Sequence, residues 1–289
     1  FFETFFGNAI KIFRNRKIER FIPLNKQGFS REQIELIFSN LVLEHGIYFV
    51  IGKEPEISYN IMTSVLGEFS AMSKKIALFN NFEYIDIEGI INLQDQFDPD
   101  KDESLPLDLI KLIRPDVICF SELKTPKQLQ QAIQLSYSGK IVLAFFKERD
   151  IFHFLTSLYN LEVDTFTLKN SIKLVIHHEK VEELCSKCKR TFSPSMDYLT
   201  IFQNFKIEEN DFNRKVGCKE CLNFGYANLL DIYEVFNIDP FVRINMDNID
   251  TFEKMLKEFK SQGYIGTKTK ILSLIASGSI PFNSIIDIF

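Results

Sequence analysis

Four short apolar runs, separated by stretches of helical period, limit this chain to one broad architecture. They are Gly46–Gly52 (GIYFVIG), Lys75–Phe79, Asp116–Ser121 and Lys140–Phe146. Each is too short for a helix of its own and lacks the polar alternation of a strand with one wet face, so each predicts a strand buried on both sides. Between them the period changes. Ser58–Ser70 puts Ile61, Val65, Leu66 and Phe69 at helical spacing, with Ser58 as the cap. Leu105–Ile113 and Pro126–Tyr137 read the same way, the second with Thr125 in the cap position and Pro126 in the first turn. Strands alternating with helices predict an α/β fold with a mainly parallel sheet covered on both faces.

The alternation is expected to stop after Leu161. Gln94–Glu103 carries five acids against one lysine, with Pro99 inside it, and reads as a solvated loop. From Asn248 the helical period returns: Phe252, Met255, Leu256 and Phe259 share a face, Gly263 and Gly266 interrupt it, and Ile271, Leu274 and Ile275 resume it, predicting a C-terminal helical cluster. A hydrophobic share of 45% excludes a disordered chain, and 34 basic against 39 acidic side chains leave a net charge of −5, which argues against a broad nucleic-acid surface. No uncharged apolar stretch reaches the ~18 residues of a membrane span, and the first residues lack a basic start and a small-residue cleavage site, so a soluble, cytoplasmic body is expected.

Five cysteines divide into Cys119, inside a predicted strand and read as a small core residue, and two Cys-x-x-Cys pairs, Cys185/Cys188 and Cys218/Cys221. One such turn brings two thiolates within reach of an ion, and a second completes the tetrahedral sulfur set that zinc prefers. Four ligands leave no open position, so the zinc would be structural, and its removal would unfold a local subdomain more than it changed any chemistry. The alternatives are free thiols or two disulfides, the latter a poor fit to a cytosolic chain. His45, His153, His177 and His178 are scattered with respect to these pairs and are read as structural or surface residues.

The block Val216–Tyr226 (VGCKECLNFGY), followed by Asp231–Asp239 (DIYEVFNID) and preceded by Leu184–Cys188, closely resembles the zinc region of the type II secretion and type IV pilus assembly ATPases. Arg114–Lys124 resembles the Walker B strand of that family, and Ser138–Leu143 the strand entering its histidine box. Phe6–Arg14 with Gly28–Gln33 resembles the linker and first helix, and Gly278–Ile288 the last helix. The resemblance covers nearly the whole chain, as the C-terminal motor domain without the domain that precedes it. It implies a RecA-like core at residues 46–180, entered by a linker and first helix over 1–45. A four-cysteine zinc subdomain would follow over 181–240, and a C-terminal helical region over 241–289. It also implies a cytoplasmic subunit of a hexameric ring that works against the inner-membrane platform of a secretion or pilus machine, peripheral to that membrane through its partners.

The chain departs from the family where the chemistry is done. An active phosphate loop has the form Gly-x-x-x-x-Gly-Lys-Ser/Thr: backbone N–H groups cradle the phosphates, the lysine neutralises the outer ones and the hydroxyl holds magnesium. Here Gly52 remains, but Ile57 replaces the second glycine, Ser58 the lysine and Tyr59 the hydroxyl residue, with Asn60 next to it. Pro55 has no N–H to donate, and Glu54 and Glu56 direct negative charge at a bound phosphate. Losing two charge-assisted contacts costs roughly 3–6 kcal/mol, about two to four decades of affinity. ATP and magnesium are therefore disfavoured. Phe79 and Asn80 occupy the family's acidic pair, Ala144–Arg149 lacks the histidine, and Leu229 stands where an arginine follows Gly225-Tyr226. Glu122 alone remains as the Walker B acid. The resemblance and its losses together describe a non-catalytic, pseudo-ATPase member, not expected to be an enzyme. It would act as a structural or regulatory partner of the platform, of other secretion or pilus proteins, of a catalytic relative, or of its own copies in a ring. One alternative is a working or nucleotide-sensing motor that uses Lys53 and Glu122 in an atypical loop. Another is a nucleic-acid-binding zinc ribbon built on Lys187, Lys189, Arg190, Arg214, Lys215 and Lys219; against it, few aromatics interleave with these residues, and their charge suits a face beside a thiolate-rich ion.

Overall fold

Side chains of a strand alternate between its two faces, and strand Gly46–Gly52 uses both: Ile47, Phe49 and Ile51 enter one apolar layer, Tyr48 and Val50 the other. A computed structural model describes residues 2–4, 7–9, 22–42, 45–53, 55–79, 87–94, 96–159, 163–204, 207, 212–246, 250, 254–255, 257–258 and 266–285. A short hairpin of β1 (Phe2–Thr4) and β2 (Gly7–Ala9) precedes the main sheet. That sheet contains β3 (Gly46–Gly52), β4 (Ile76–Phe79), β5 (Ile90–Asn92), β6 (Val117–Leu123), β7 (Ile141–Lys147) and β8 (Ile172–Leu184), all parallel. A two-residue ribbon follows, β9 (Arg190–Thr191) with β10 (Asn213–Arg214), and then β11 (Tyr226–Asn237), which returns antiparallel along β8. The order across the main sheet is β11-β8-β3-β7-β6-β4-β5.

Helices α1 (Arg31–Leu41) and α2 (Pro55–Ala71) cover one face, burying Ile37, Leu41, Ile61, Val65, Leu66 and Phe69. The other face takes α3 (Leu107–Ile113), α4 (Pro126–Tyr137), α5 (Ile151–Leu158) and α6 (Thr165–Ser171). A third, smaller core lies at the far end of β8 and β11. There α7 (Met196–Asn204) contributes Phe202, Val181 and Ile232 come from the strands, and Ile271, Leu272 and Ile275 from a helix over Thr267–Ala276. Between these, α8 (Pro240–Asn245) packs Val242 on the second face, so the helix over Thr267–Ala276 is α9.

Two helices begin where the sequence places their caps. Thr125 and Gln128 form a reciprocal capping box at α4, with Pro126 in the first turn, and Ser30 with Gln33 does the same at α1. Gln33 also donates Nε2–H to the carbonyl of Tyr233 at 3.0 Å, tying α1 to β11.

Several expectations need correction. α2 starts at Pro55, not Ser58; proline suits a first turn because its missing N–H would have no helical partner there. The alternation does not end at Leu161, since α6 and β8 continue it. A boundary at 180 falls inside β8, and β11 carries residues 226–237 back into the main sheet. Of the expected last helix over 278–288, the described residues show a 3₁₀ turn over Phe282–Ile285, and 286–288 lie outside them. Gln94–Glu103 is irregular but not wholly solvated, because Phe97 is buried edge-on against Phe120, centroids 5.5 Å apart. The face of Phe252, Leu256 and Phe259 lies outside the described residues.

Candidate functional site

β3 passes to α2 in two residues. The strand ends at Gly52 and the helix begins at Pro55, so Lys53 and Glu54 alone make the connection. A phosphate loop needs a wide turn whose N–H groups converge on the ligand. Here the backbone at 56 and 57, where that turn would still be open, is already in the first turn of α2: its carbonyls accept within the helix, and its N–H groups point along the helix axis rather than converging in a loop.

Gly52 is needed for a close approach. A Cβ there would stand 2.7 Å from the carbonyl oxygen of His178 and 3.2 Å from Ser58 Oγ. Ser58 is fully buried, and its hydroxyl lies 3.3 Å from His178 Nδ1. His178 Nε2 lies 2.7 Å from Asp231 Oδ1, which also receives Lys180 Nζ at 3.1 Å. A carboxylate only accepts, so the imidazole proton sits on Nε2 and Nδ1 accepts from Ser58. The imidazole stacks on Tyr233 at 4.9 Å, and Tyr233 on Phe29 at 4.0 Å. Burial lowers the pKa of His178 below its ordinary value, against the pull of Asp231. Lys53 pairs with Glu179 on the same strand as His178. Tyr59 is buried on the core side of α2, and Asn60 is exposed, its carbonyl accepting from Gln27 Nε2 at 3.2 Å.

Glu122 lies near the end of β6, buried, with Lys124 Nζ at 3.4 Å. Burial raises its carboxyl above the usual range, while Lys124 and Lys147 draw it back. Lys124 in turn holds Asp100 at 2.6 Å. Phe79 is a core ring stacked on Phe120 at 5.3 Å, Leu229 is exposed, and Asn80 lies outside the described residues. Of the expected set, Gly52, Lys53 and Ser58 meet β8, whereas the charged neighbours of Glu122 are Lys124, just past β6, and Lys147, which ends β7 and is the register partner of Gly52. His178 and Asp231 were not foreseen as partners of the loop. The available signal was the two-residue period of Leu174, Ile176 and His178, which share one face of β8.

The four cysteine sulfurs all lie within 4.8 Å of one another. Cys185–Cys218 is 4.0 Å, Cys188–Cys221 3.8 Å and Cys218–Cys221 3.7 Å, and all four are free thiols. Zn–S bonds of about 2.3 Å span a tetrahedron with edges of about 3.8 Å, so the set fits such an ion. The N–H groups of Cys218 and Gly225 both donate to Cys221 Sγ at 3.2 Å, which favours the thiolate that a metal needs. The turn is tight: Leu222 and Asn223 have φ of 51° and 66°, and a Cβ on Gly217, φ 121°, would stand 2.8 Å from the carbonyl oxygen of Asn223.

Sequence comparison matches residues 9–285 to the family model described as Type II/IV secretion system protein. The chain belongs to that family. Among curated secretion-family relatives, it is 23% identical over 267 residues to the Putative type II secretion system protein E of Escherichia coli K12, covering 91% of this chain and 53% of that protein. It is 26% identical over 247 residues to the Type IV pilus assembly ATPase PilB of Pseudomonas aeruginosa, covering 84% and 43%. The chain therefore spans about half the length of the curated relatives it matches. Among solved structures, the Legionella pneumophila ATPase DotB superposes with a TM-score of 0.61 at 14% identity, over 94% of this chain and 66% of that one. The pilus retraction motor PilT with bound ADP gives 0.61 at 10% identity, over 93% and 67%. At these identities the likeness is one of fold: the mostly parallel α/β core is shared with these ATPases.

Proposed function

We propose that this chain is a non-catalytic, pseudo-ATPase member of the secretion-family ATPases, a structural or regulatory subunit of a secretion or pilus machine. The observation that carries the reading is the two-residue connection from Gly52 to Pro55. With helix where the phosphate turn would be, the groups left around it satisfy one another: Lys53 with Glu179, and Ser58 with His178 and Asp231. Glu122 is then an acid without a substrate, and no catalytic residue is assigned. Gly52, Lys53, Ser58, Tyr59 and Asn60 are the remains of the nucleotide site, kept as packing.

In this reading Cys185, Cys188, Cys218 and Cys221 hold a structural zinc. Its chemistry would be to clamp the turns at the far end of β8 and β11. Partners would be the inner-membrane platform, a catalytic relative or further copies in a ring, which would place the chain at the cytoplasmic side of that membrane. The main sheet and its helices would supply the core such partners recognise by shape, with the cysteine turns between β8 and β11 as the metal-bearing arm.

Isothermal titration of the zinc-quantified chain with ATP and ADP in magnesium tests the reading, with Glu122→Gln alongside. No heat up to about a millimolar is expected for either protein. Micromolar binding, or turnover that Glu122→Gln abolishes, would return the chain to the motors.

A further inference from the structure

The ribbon beside the cysteine cluster sets two arginines against each other. Arg190 and Arg214 are direct register partners, placing their Cβ atoms about 4.5–5.5 Å apart. Both are exposed, and among the described residues neither has an ion-pair partner. Like charges directly opposite weaken a strand pair, and this ribbon has only two residue pairs with which to resist. Among the described residues no anion offsets this repulsion, and the arrangement becomes favourable once one lies between the guanidinium groups.

Arg214 also lines a concave cleft of about 440 Å³. Phe192 and Pro281 form an apolar wall of the cleft, and Asn283 and Ser284 offer side-chain hydrogen bonds. Lys215 and Glu182, which also line it, pair with each other at 2.8 Å, which among the described residues leaves Arg214 as the cleft's uncommitted charge. Exposed Lys187 and Lys219 add positive charge on the two cysteine turns in a chain whose net charge is −5.

We infer that this cleft docks an acidic peptide segment of a partner protein, with a carboxylate between Arg190 and Arg214 and an adjacent apolar side chain against Phe192 and Pro281. A guanidinium is a planar fork that matches a carboxylate with two parallel hydrogen bonds, which a lysine does not do. The volume is that of a site for a few side chains. Its concavity suits an extended segment better than a flat lipid surface. The wall ring Phe192 packs on Phe282, centroids 4.9 Å apart, which leaves it poorly placed to stack on a base. The inference is independent of whether nucleotide binds, because none of its residues touches the Gly52 loop.

The test is fluorescence anisotropy of the full, zinc-loaded chain with a labelled peptide of alternating glutamate and phenylalanine. Its glutamine counterpart, a short oligothymidylate and phosphatidylglycerol vesicles are run beside it. The glutamate peptide is expected to bind and the glutamine peptide not. An Arg190→Gln/Arg214→Gln variant should bind the glutamate peptide at least about tenfold more weakly, whereas Lys219→Gln stays within about twofold. Without peptide, the double variant should keep its zinc and melt at the same temperature as the parent or a degree or two higher, because the repulsion is gone. Equal binding by parent and double variant would overturn the proposal, as would tighter binding of the oligonucleotide or the vesicles than of the peptide. So would a double variant that melts several degrees lower, since the arginines would then be stabilising the ribbon by themselves.

Discussion

His178 shows how a pocket position changes meaning when its neighbours change. It receives a hydrogen bond from Ser58, donates one to Asp231 and stacks on Tyr233, so a buried imidazole fills its hydrogen-bonding capacity without ligand. His177, on the opposite face of β8, meets Thr267 Oγ1 at 2.8 Å through Nδ1, while its buried Nε2 has no partner among the described residues. Burial lowers both imidazoles, against Asp231 at His178 and against Glu234, Glu179 and Asp150 at His177; Lys180 and Lys53 add to the lowering. The sign follows from proton uptake: the unfolded chain protonates near pH 6.5 and the folded chain only below that, so the stability they confer is full above pH 6.5 and is lost as pH falls. The melting temperature is expected to drop by a few degrees between pH 7 and 5, and a His177→Gln/His178→Gln variant should show a flatter profile over that range. Glu68, Glu122 and Glu148, raised by burial, work in the opposite direction nearer pH 5, which is why comparison with the variant carries the result.

At the scale of elements, the join of β3 to β8 is the sensitive one. One of its close approaches is Gly52, where any side chain meets the backbone of His178. Gly52→Ala should therefore force the strands apart and cost about 1–3 kcal/mol in urea unfolding, although alanine is ordinarily harmless at a strand end. A mutant as stable as the parent would mean that β8 yields without loss. The elements were unevenly legible in the sequence. β3, β4, β6 and β7 are nearly continuous apolar runs, and α4 has both its cap and its first-turn proline, so each could be read close to its observed bounds. β8 was missed because its apolar run Ile172–Ile176 gives way to His177, His178, Glu179 and Lys180, which look like a loop until their partners across the strand are known. β11 was missed as a strand because its first half mixes Leu229 and Leu230 with Asn228 and Asp231 in no two-residue alternation. The start of α2 was misplaced because Ser58 is a good cap on paper, whereas Pro55 sets the first turn three residues earlier. The four cysteines were legible by spacing alone; the Ser58–His178–Asp231 chain was not, since its members are far apart in sequence and meet only when β8 and β11 pair.

Over the whole molecule, β8 and β11 carry the cysteine turns at one end and the phosphate-loop remnant further along, so both sites hang on one long antiparallel pair. Stripping the metal with a chelator should release the turns around Cys185 and Cys218 and loosen the third core of Phe202, Phe212 and Phe282, leaving β3, β6 and β7 protected. Hydrogen exchange before and after chelation checks this, with one zinc per chain expected by elemental analysis; protection lost evenly across the sheet would make the ion a global rather than a local support. The same pairing bears on how the chain folds. β8 leaves the sheet at Leu184 and β11 rejoins it opposite at Tyr226, so everything from Cys185 to Gly225 must be looped out before the last strand can zip. An ion that first joins Cys185 and Cys188 to Cys218 and Cys221 turns that long, entropically slow closure into one of a few residues. Metal supply during synthesis would then set the rate at which the sheet acquires its final edge.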